Sequence, residues 1–249
     1  IRRPVNEPGP RPTTMLEMTE SRQSFSFSGL GARPVPSILR GFSAPVIVQR
    51  ETSPQEHAFL LANDTDPFNK WEAGRALSKD VLTRMIVDGA QVPGDFVDAL
   101  GRVAQDETLD PAFRALVLGM PAQNDIAQTL FDSGVTPDPD KIHVASQGLK
   151  NTIASELSPI FGTLYDGNTV IGPYSPDAGD AGRRSLRLAA LGYLTRTDAG
   201  QRAARLYQDA DNMTEQMGAW SCLLNAGKGQ SERAHFYDRW QDDPNTLNK

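Results

Sequence analysis

Three histidines, His57, His143 and His235, and one cysteine, Cys222, are the side chains of this 249-residue sequence best suited to metal binding or nucleophilic catalysis. A helical zinc site places two imidazoles at i and i+4, as His-Glu-x-x-His, so that both face one way. None of the three histidines lies in that pattern, and each reads as an ordinary surface or core residue. Cys222 sits in Trp-Ser-Cys-Leu-Leu, an apolar helical setting that predicts a buried thiol with no histidine beside it in sequence. A serine nucleophile would want the Gly-x-Ser-x-Gly elbow, which is absent. The segment Asp132–Asp140 gathers carboxylates around Thr136, but it lacks EF-hand spacing and contains two prolines, so it reads as a capped turn rather than a calcium loop. Gly29 and Gly31 do not open a helix, and no dinucleotide fingerprint follows. Arg183, Arg184 and Arg187, at helical spacing, read as a solvated face. From the residues alone, no catalytic, cofactor-binding or metal residue is assigned.

The net charge of -6 argues against nucleic acid and anionic membranes as partners, because both require a basic stripe that releases counterions. No window reaches 18 apolar residues, and the N-terminus lacks a charged-then-apolar signal pattern. A single cysteine excludes an internal disulfide and fits a reducing compartment, which gives a cytoplasmic expectation. The chain opens at Ile1 rather than methionine, so it is expected to belong to something longer.

The elements that must position these residues fall on either side of a seam, residues 33–48. Pro34, Pro36 and Pro45 fix φ and remove donors there, excluding a helix or a central strand. Before the seam, a proline-rich stretch over residues 1–12 is expected to be loose. Leu16 with Met18 and Phe25 with Phe27 then alternate as two strands, and Val46–Val48 gives a last one. So few strands cannot close a sandwich. After the seam the sequence is nearly all helical. Ser53-Pro54 with Glu56, Asp66-Pro67, Asp110-Pro111 and Asp138-Pro139 each supply a cap followed by a proline at the first helical position.

The helix from Pro67 is predicted to bury Phe68, Trp71, Leu77, Val81, Leu82 and Met85. A long helix from Pro139 is predicted to run through Leu164 with a kink near Pro159. A loop over Gly172–Gly182 precedes helices over Arg184–Thr195, Asp198–Gln208, Met213–Asn225 and Ser231–Trp240. The expected fold is mostly α: an irregular α-superhelix of antiparallel helices over residues 51–249, preceded over 1–50 by a small partial β-sandwich.

Arg-Pro-Val-Pro-Ser-Ile-Leu-Arg-Gly-Phe-Ser-Ala-Pro-Val at 33–46 and Ala-Phe-Leu-Leu-Ala-Asn-Asp-Thr-Asp-Pro-Phe-Asn-Lys-Trp-Glu-Ala-Gly at 58–74 resemble the bacterial aminopeptidase N branch of the M1 zinc metallopeptidase family. Arg-Arg-Ser-Leu-Arg at 183–187, Asp-Asn-Met-Thr at 211–214 and Phe-Tyr-Asp-Arg-Trp at 236–240 follow in the same order. The resemblance implies the end of an Ig-like sandwich and the larger part of a helical superhelix that caps an active-site cavity. The family's zinc motif and its Gly-Ala-Met-Glu-Asn motif have no counterpart here, so it implies no cofactor in this chain, zinc in the parent enzyme, and a chain inactive by itself. The implied partners are the catalytic domain of the same polypeptide and short peptides. The alternative reading is a free-standing helical scaffold that binds peptides or proteins. A cut sheet edge and superhelix end would also favour self-association.

Overall fold

The computed structural model describes residues 13–46, 48 and 50–247. It divides into two compact units, Ile1–Pro36 and Ser37–Lys249. The proline-rich stretch expected to be loose lies outside the described residues. In the first unit, residues 13–36 form no regular strand; Ser26 is an isolated bridge residue, and Met15, Met18 and Phe27 are exposed. The alternation of Leu16 with Met18 and of Phe25 with Phe27 therefore gives extended chain without a ladder among the described residues. A strand is a paired object, and alternation supplies faces but no partner. Val46 and Val48 are likewise exposed and unladdered.

The second unit carries twelve α-helices among the described residues: α1 (Pro54–Asn63), α2 (Pro67–Asp88), α3 (Gly94–Gln105), α4 (Pro111–Val117), α5 (Gln123–Asp132), α6 (Pro139–Glu156), α7 (Ser158–Gly167), α8 (Ala178–Thr197), α9 (Gln201–Asp209), α10 (Met213–Asn225), α11 (Gln230–Trp240) and α12 (Pro244–Leu247). Their starts follow the caps read from sequence. Ser53 and Glu56 form a reciprocal capping box, and Asp66, Asp110 and Asp138 each accept backbone N–H groups ahead of a proline. The proline costs nothing there because its missing N–H would have had no partner in the first turn.

Two expectations fail for local reasons. The long helix from Pro139 is not kinked but broken: α6 ends at Glu156 and α7 begins at Ser158, with Leu157 between them at φ -99, ψ 13. Pro159 has no N–H to continue the ladder, and its ring crowds the carbonyl four residues back. The glycine-rich loop ends earlier than predicted, because Asp177 accepts from Asp180 N–H and starts α8 at Ala178. On α2, Leu77, Val81 and Leu82 are buried as predicted, whereas Phe68, Trp71 and Met85 are half-buried and Lys70 is buried in their stead. Lys70 is accommodated because Nζ donates to the Ala62 carbonyl at 3.1 Å.

Packing centres on α8, which touches α4, α6, α7, α9 and α10, while α2 packs on α1, α4, α5 and α6. Contacts between elements far apart in sequence make the array an irregular superhelix rather than a chain of identical pairs. Phe161 of α7 stacks on Tyr193 of α8 with ring centroids 4.5 Å apart, and the Tyr193 hydroxyl donates to the Leu118 carbonyl at 2.7 Å. At Gly182 of α8, a Cβ would lie 3.2 Å from the Ala112 backbone nitrogen, so glycine permits the close α4–α8 approach.

Candidate functional site

The three histidines do not converge. His57 lies on α1, where burial and then the charge of Arg50 lower its pKa. His143 lies on α6, its Nδ1 3.1 Å from Gln123 Nε2. His235, on α11, has Nδ1 3.0 Å from the Tyr207 hydroxyl, which itself donates to the Glu232 carbonyl. With that hydroxyl proton committed, Nδ1 is assigned as the donor to Tyr207. No three His, Cys, Asp or Glu residues among those described are placed to hold a metal. Cys222 lies on α10, and burial pushes its thiol up to about 11, which keeps it protonated and unreactive at neutral pH. In the segment Asp132–Asp140, Asp138 caps α6 and Asp132 accepts from Gln128 Nε2. That is a capped turn.

Arg184 and Arg187 do not lie on a solvated face. Arg184 is 2% exposed, donates to the Ser175 carbonyl, and lies over the Tyr174 ring at 4.5 Å. Arg187 pairs with Glu215 at 2.5 Å and lies over Tyr165 at 4.6 Å, while Arg183 donates to the Thr169 carbonyl at 2.7 Å. The three arginines thus anchor the loop before α8 and tie α8 to α10. Spacing placed them on one helix but could not say that the helix would be covered.

A concave feature of the helical unit lies at the seam. Arg40 donates to Asp64 at 2.5 Å and to Thr65 Oγ1 at 2.7 Å. Asp66 divides its work: Oδ1 caps α2 through Asn69 N–H, and Oδ2 accepts from Gly41 N–H at 2.9 Å. Asn69 Nδ2 reaches both Ser37 Oγ and the Ile38 carbonyl at 2.8 Å. Asp64 is buried, which alone would raise its pKa, but hydrogen bonds from Ser37, Asp66 N–H and Arg40 outweigh that and hold the carboxyl below the usual range. Under this clamp Leu39 and Phe42 adopt left-handed backbone, each with φ 55, at roughly 1–2 kcal/mol per residue.

Beside the clamp, Leu39, Phe42, Ala44, Pro45, Val46 and Phe68 line an open hollow of about 310 Å³, with the Phe42 and Phe68 rings 4.0 Å apart. Its lining carries no titratable group, so it can receive apolar matter but perform no proton transfer. The signals for this arrangement, opposite charges 24 residues apart and an aromatic pair 26 apart, are too distant to be paired by reading along the chain.

Comparison with known proteins gives a consistent set of relatives. A family model described as a domain of unknown function (DUF3458_C) with ARM repeats matches residues 54–249, and one described as DUF3458 with an Ig-like fold matches residues 4–51. Aminopeptidase N of Caulobacter vibrioides is 32% identical over 96% of this chain and 28% of its own length. Aminopeptidase N of Escherichia coli is 29% identical over 90% of this chain and 26% of its own length. A crystal structure of Legionella pneumophila aminopeptidase A in complex with aspartic acid aligns with a TM-score of 0.76 at 26% identity, over 89% of this chain and 27% of that one. This chain therefore spans little more than a quarter of the length of these relatives, and it corresponds to their C-terminal part.

Proposed function

We propose a function from the premise that the chain belongs to the DUF3458_C family of ARM-repeat domains: it is the non-catalytic helical part of an M1-type zinc aminopeptidase, walling the substrate chamber and restricting entry to short peptides. The observation that carries this reading is the match along nearly the whole chain to about a quarter of each of several aminopeptidases. The residues support a steric and electrostatic role. His57, His143 and His235 stand on separate helices, Cys222 is a half-buried thiol, and among the described residues no donor set fits a zinc ion. No hydrolytic step is therefore assigned to residues of this chain. Its proposed partner is the catalytic domain of the same polypeptide, and its proposed compartment is the cytoplasm. Among the described residues no helix is long and apolar enough to cross a membrane.

The test is complementation in trans. The purified chain is assayed with an aminoacyl amide in the presence of zinc, then added to an aminopeptidase N relative that lacks its matched quarter. The chain alone should show no turnover, and its addition should restore the truncated relative's preference for short over long peptides. Turnover that scales with chain concentration and survives repurification would overturn the reading, as would a truncated relative whose length preference never changed.

A further inference from the structure

Three arginines of the helical unit pair with carboxylates, Arg40 with Asp64, Arg75 with Asp125 and Arg187 with Glu215, whereas Arg183 and Arg184 are held by backbone carbonyls. Arg196, in the last turn of α8, faces none. Its Nη1 donates to Asn151 Oδ1 at 2.7 Å and its Nη2 to Gln147 Oε1 at 2.8 Å, both neutral oxygens on α6. Because a guanidinium can only donate, the amide oxygens must point at it, which leaves both amide NH₂ groups free to act as donors elsewhere. Lys150 follows Gln147 by three residues and so neighbours it on the surface of α6.

Lys150 and Arg196 are both half-buried, and neither joins an ion pair among the described residues. Burial lowers the pKa of Lys150, and the charge of Arg196 lowers it further. One turn earlier on α6, Ser146 Oγ is buried without a hydrogen-bond partner. Two half-buried cations thus share one patch between α6 and α8 with no carboxylate paired to either and with donors to spare.

We propose that α6 and α8 carry an anion-binding site in which Lys150 and Arg196 receive a carboxylate-class oxyanion, with Gln147 and Asn151 holding the guanidinium in position. The guanidinium fork matches a carboxylate, and the ammonium supplies a compact second charge. The anion has two possible sources, the C-terminal carboxylate of a short peptide or a free small oxyanion. The peptide source rests on the aminopeptidase reading above, whereas the anion site stands without it.

The experiment titrates the 249-residue chain with N-acetyl-trialanine as the free acid, the same peptide as its C-terminal amide, sodium acetate and inorganic phosphate. Calorimetry and the Lys150 side-chain NMR signal follow binding. The free acid should bind at least tenfold more tightly than the amide, and both Lys150→Met and Arg196→Gln should weaken it at least tenfold, while Lys150→Arg retains it. Lys150→Met should also raise the thermal midpoint, because it removes an uncompensated charge and keeps the apolar stem, a response that a structural lysine would not give. If acetate and phosphate shift the Lys150 signal and the peptide acid binds no better than they do, the anion site is supported with a free oxyanion as its ligand. Equal binding of acid and amide with no response to acetate or phosphate overturns the site. So does anion binding that survives both Lys150→Met and Arg196→Gln.

Discussion

Removing one charge of the Arg187–Glu215 pair should destabilise the helical unit far more than removing both. The two side chains are 13% and 9% exposed, Nη1 to Oε1 is 2.5 Å, and Arg187 Nε is buried without a partner. Glu215→Gln keeps the shape and can still accept from Asn212 Nδ2, which lies 3.0 Å from Oε2. What it loses is the charge that compensates the guanidinium. Stranding a buried charge costs about 3–5 kcal/mol, and the residual exposure of this pair places the cost near the lower end, about 3 kcal/mol. At a urea m-value of about 2–3 kcal/mol/M for a unit of this size, the midpoint should fall by about 1–1.5 M. Arg187→Met should cost about 2 kcal/mol, because the stranded carboxylate keeps its Asn212 bond while the contact over Tyr165 is lost. The double variant Arg187→Met with Glu215→Leu should return to within about 1 kcal/mol of the parent, since no charge is then left in the α8–α10 contact. Urea unfolding followed by helical circular dichroism reads all four proteins. A Glu215→Gln midpoint within about 0.3 M of the parent, or a double variant as unstable as the two singles summed, would refute the reasoning.

Other outcomes follow from single positions. Asp64 has a folded pKa below its unfolded value of about 3.9, so its contribution is complete above about pH 4 and is lost as the pH falls through the folded value. The stability gap between the parent and Asp64→Asn should therefore shrink as urea midpoints are taken from pH 7 towards pH 3; a constant gap would contradict the assignment. Phe161→Ala, at a fully buried ring stacked on Tyr193, should cost about 3–5 kcal/mol, and Trp71→Ala, at a half-buried ring, roughly half as much; equal costs by urea denaturation would contradict the burial difference. Gly182→Ala should cost about 1–3 kcal/mol against the Ala112 backbone, whereas Gly162→Ala, with open space around the new Cβ, should gain up to about 1 kcal/mol; thermal midpoints moving the same way would oppose this.

Sequence by itself determined where the helices with a marked cap and proline begin. Ser53, Asp66, Asp110 and Asp138 all cap as read, because capping is chemistry between residues two or three apart, and α10 runs over Met213–Asn225 as predicted. Local chemistry also located the interruption at Pro159 while understating it as a kink. The resemblance carried by residues 33–74 extends along nearly the whole chain, 96% and 90% of which match aminopeptidase N of two bacteria.

Tertiary structure alone decided which polar groups were turned inward and what they met. Arg184 and Arg187 look like a solvated stripe until the loop before α8 and the start of α10 cover them, and Lys70 takes a buried position that the aromatic pattern had given to Trp71. The clamp of Arg40 on Asp64 joins residues 24 apart, the Arg196 bonds to α6 join residues 45 and 49 apart, and the Arg187–Glu215 pair spans 28. A periodic pattern records how apolar one helix face is but carries no information about which distant segment will cover it. Partial burial without a counter-charge at Lys150 and Arg196 exists only once α6 and α8 lie against each other, because burial and charge pairing are properties of the packed array and of no single segment.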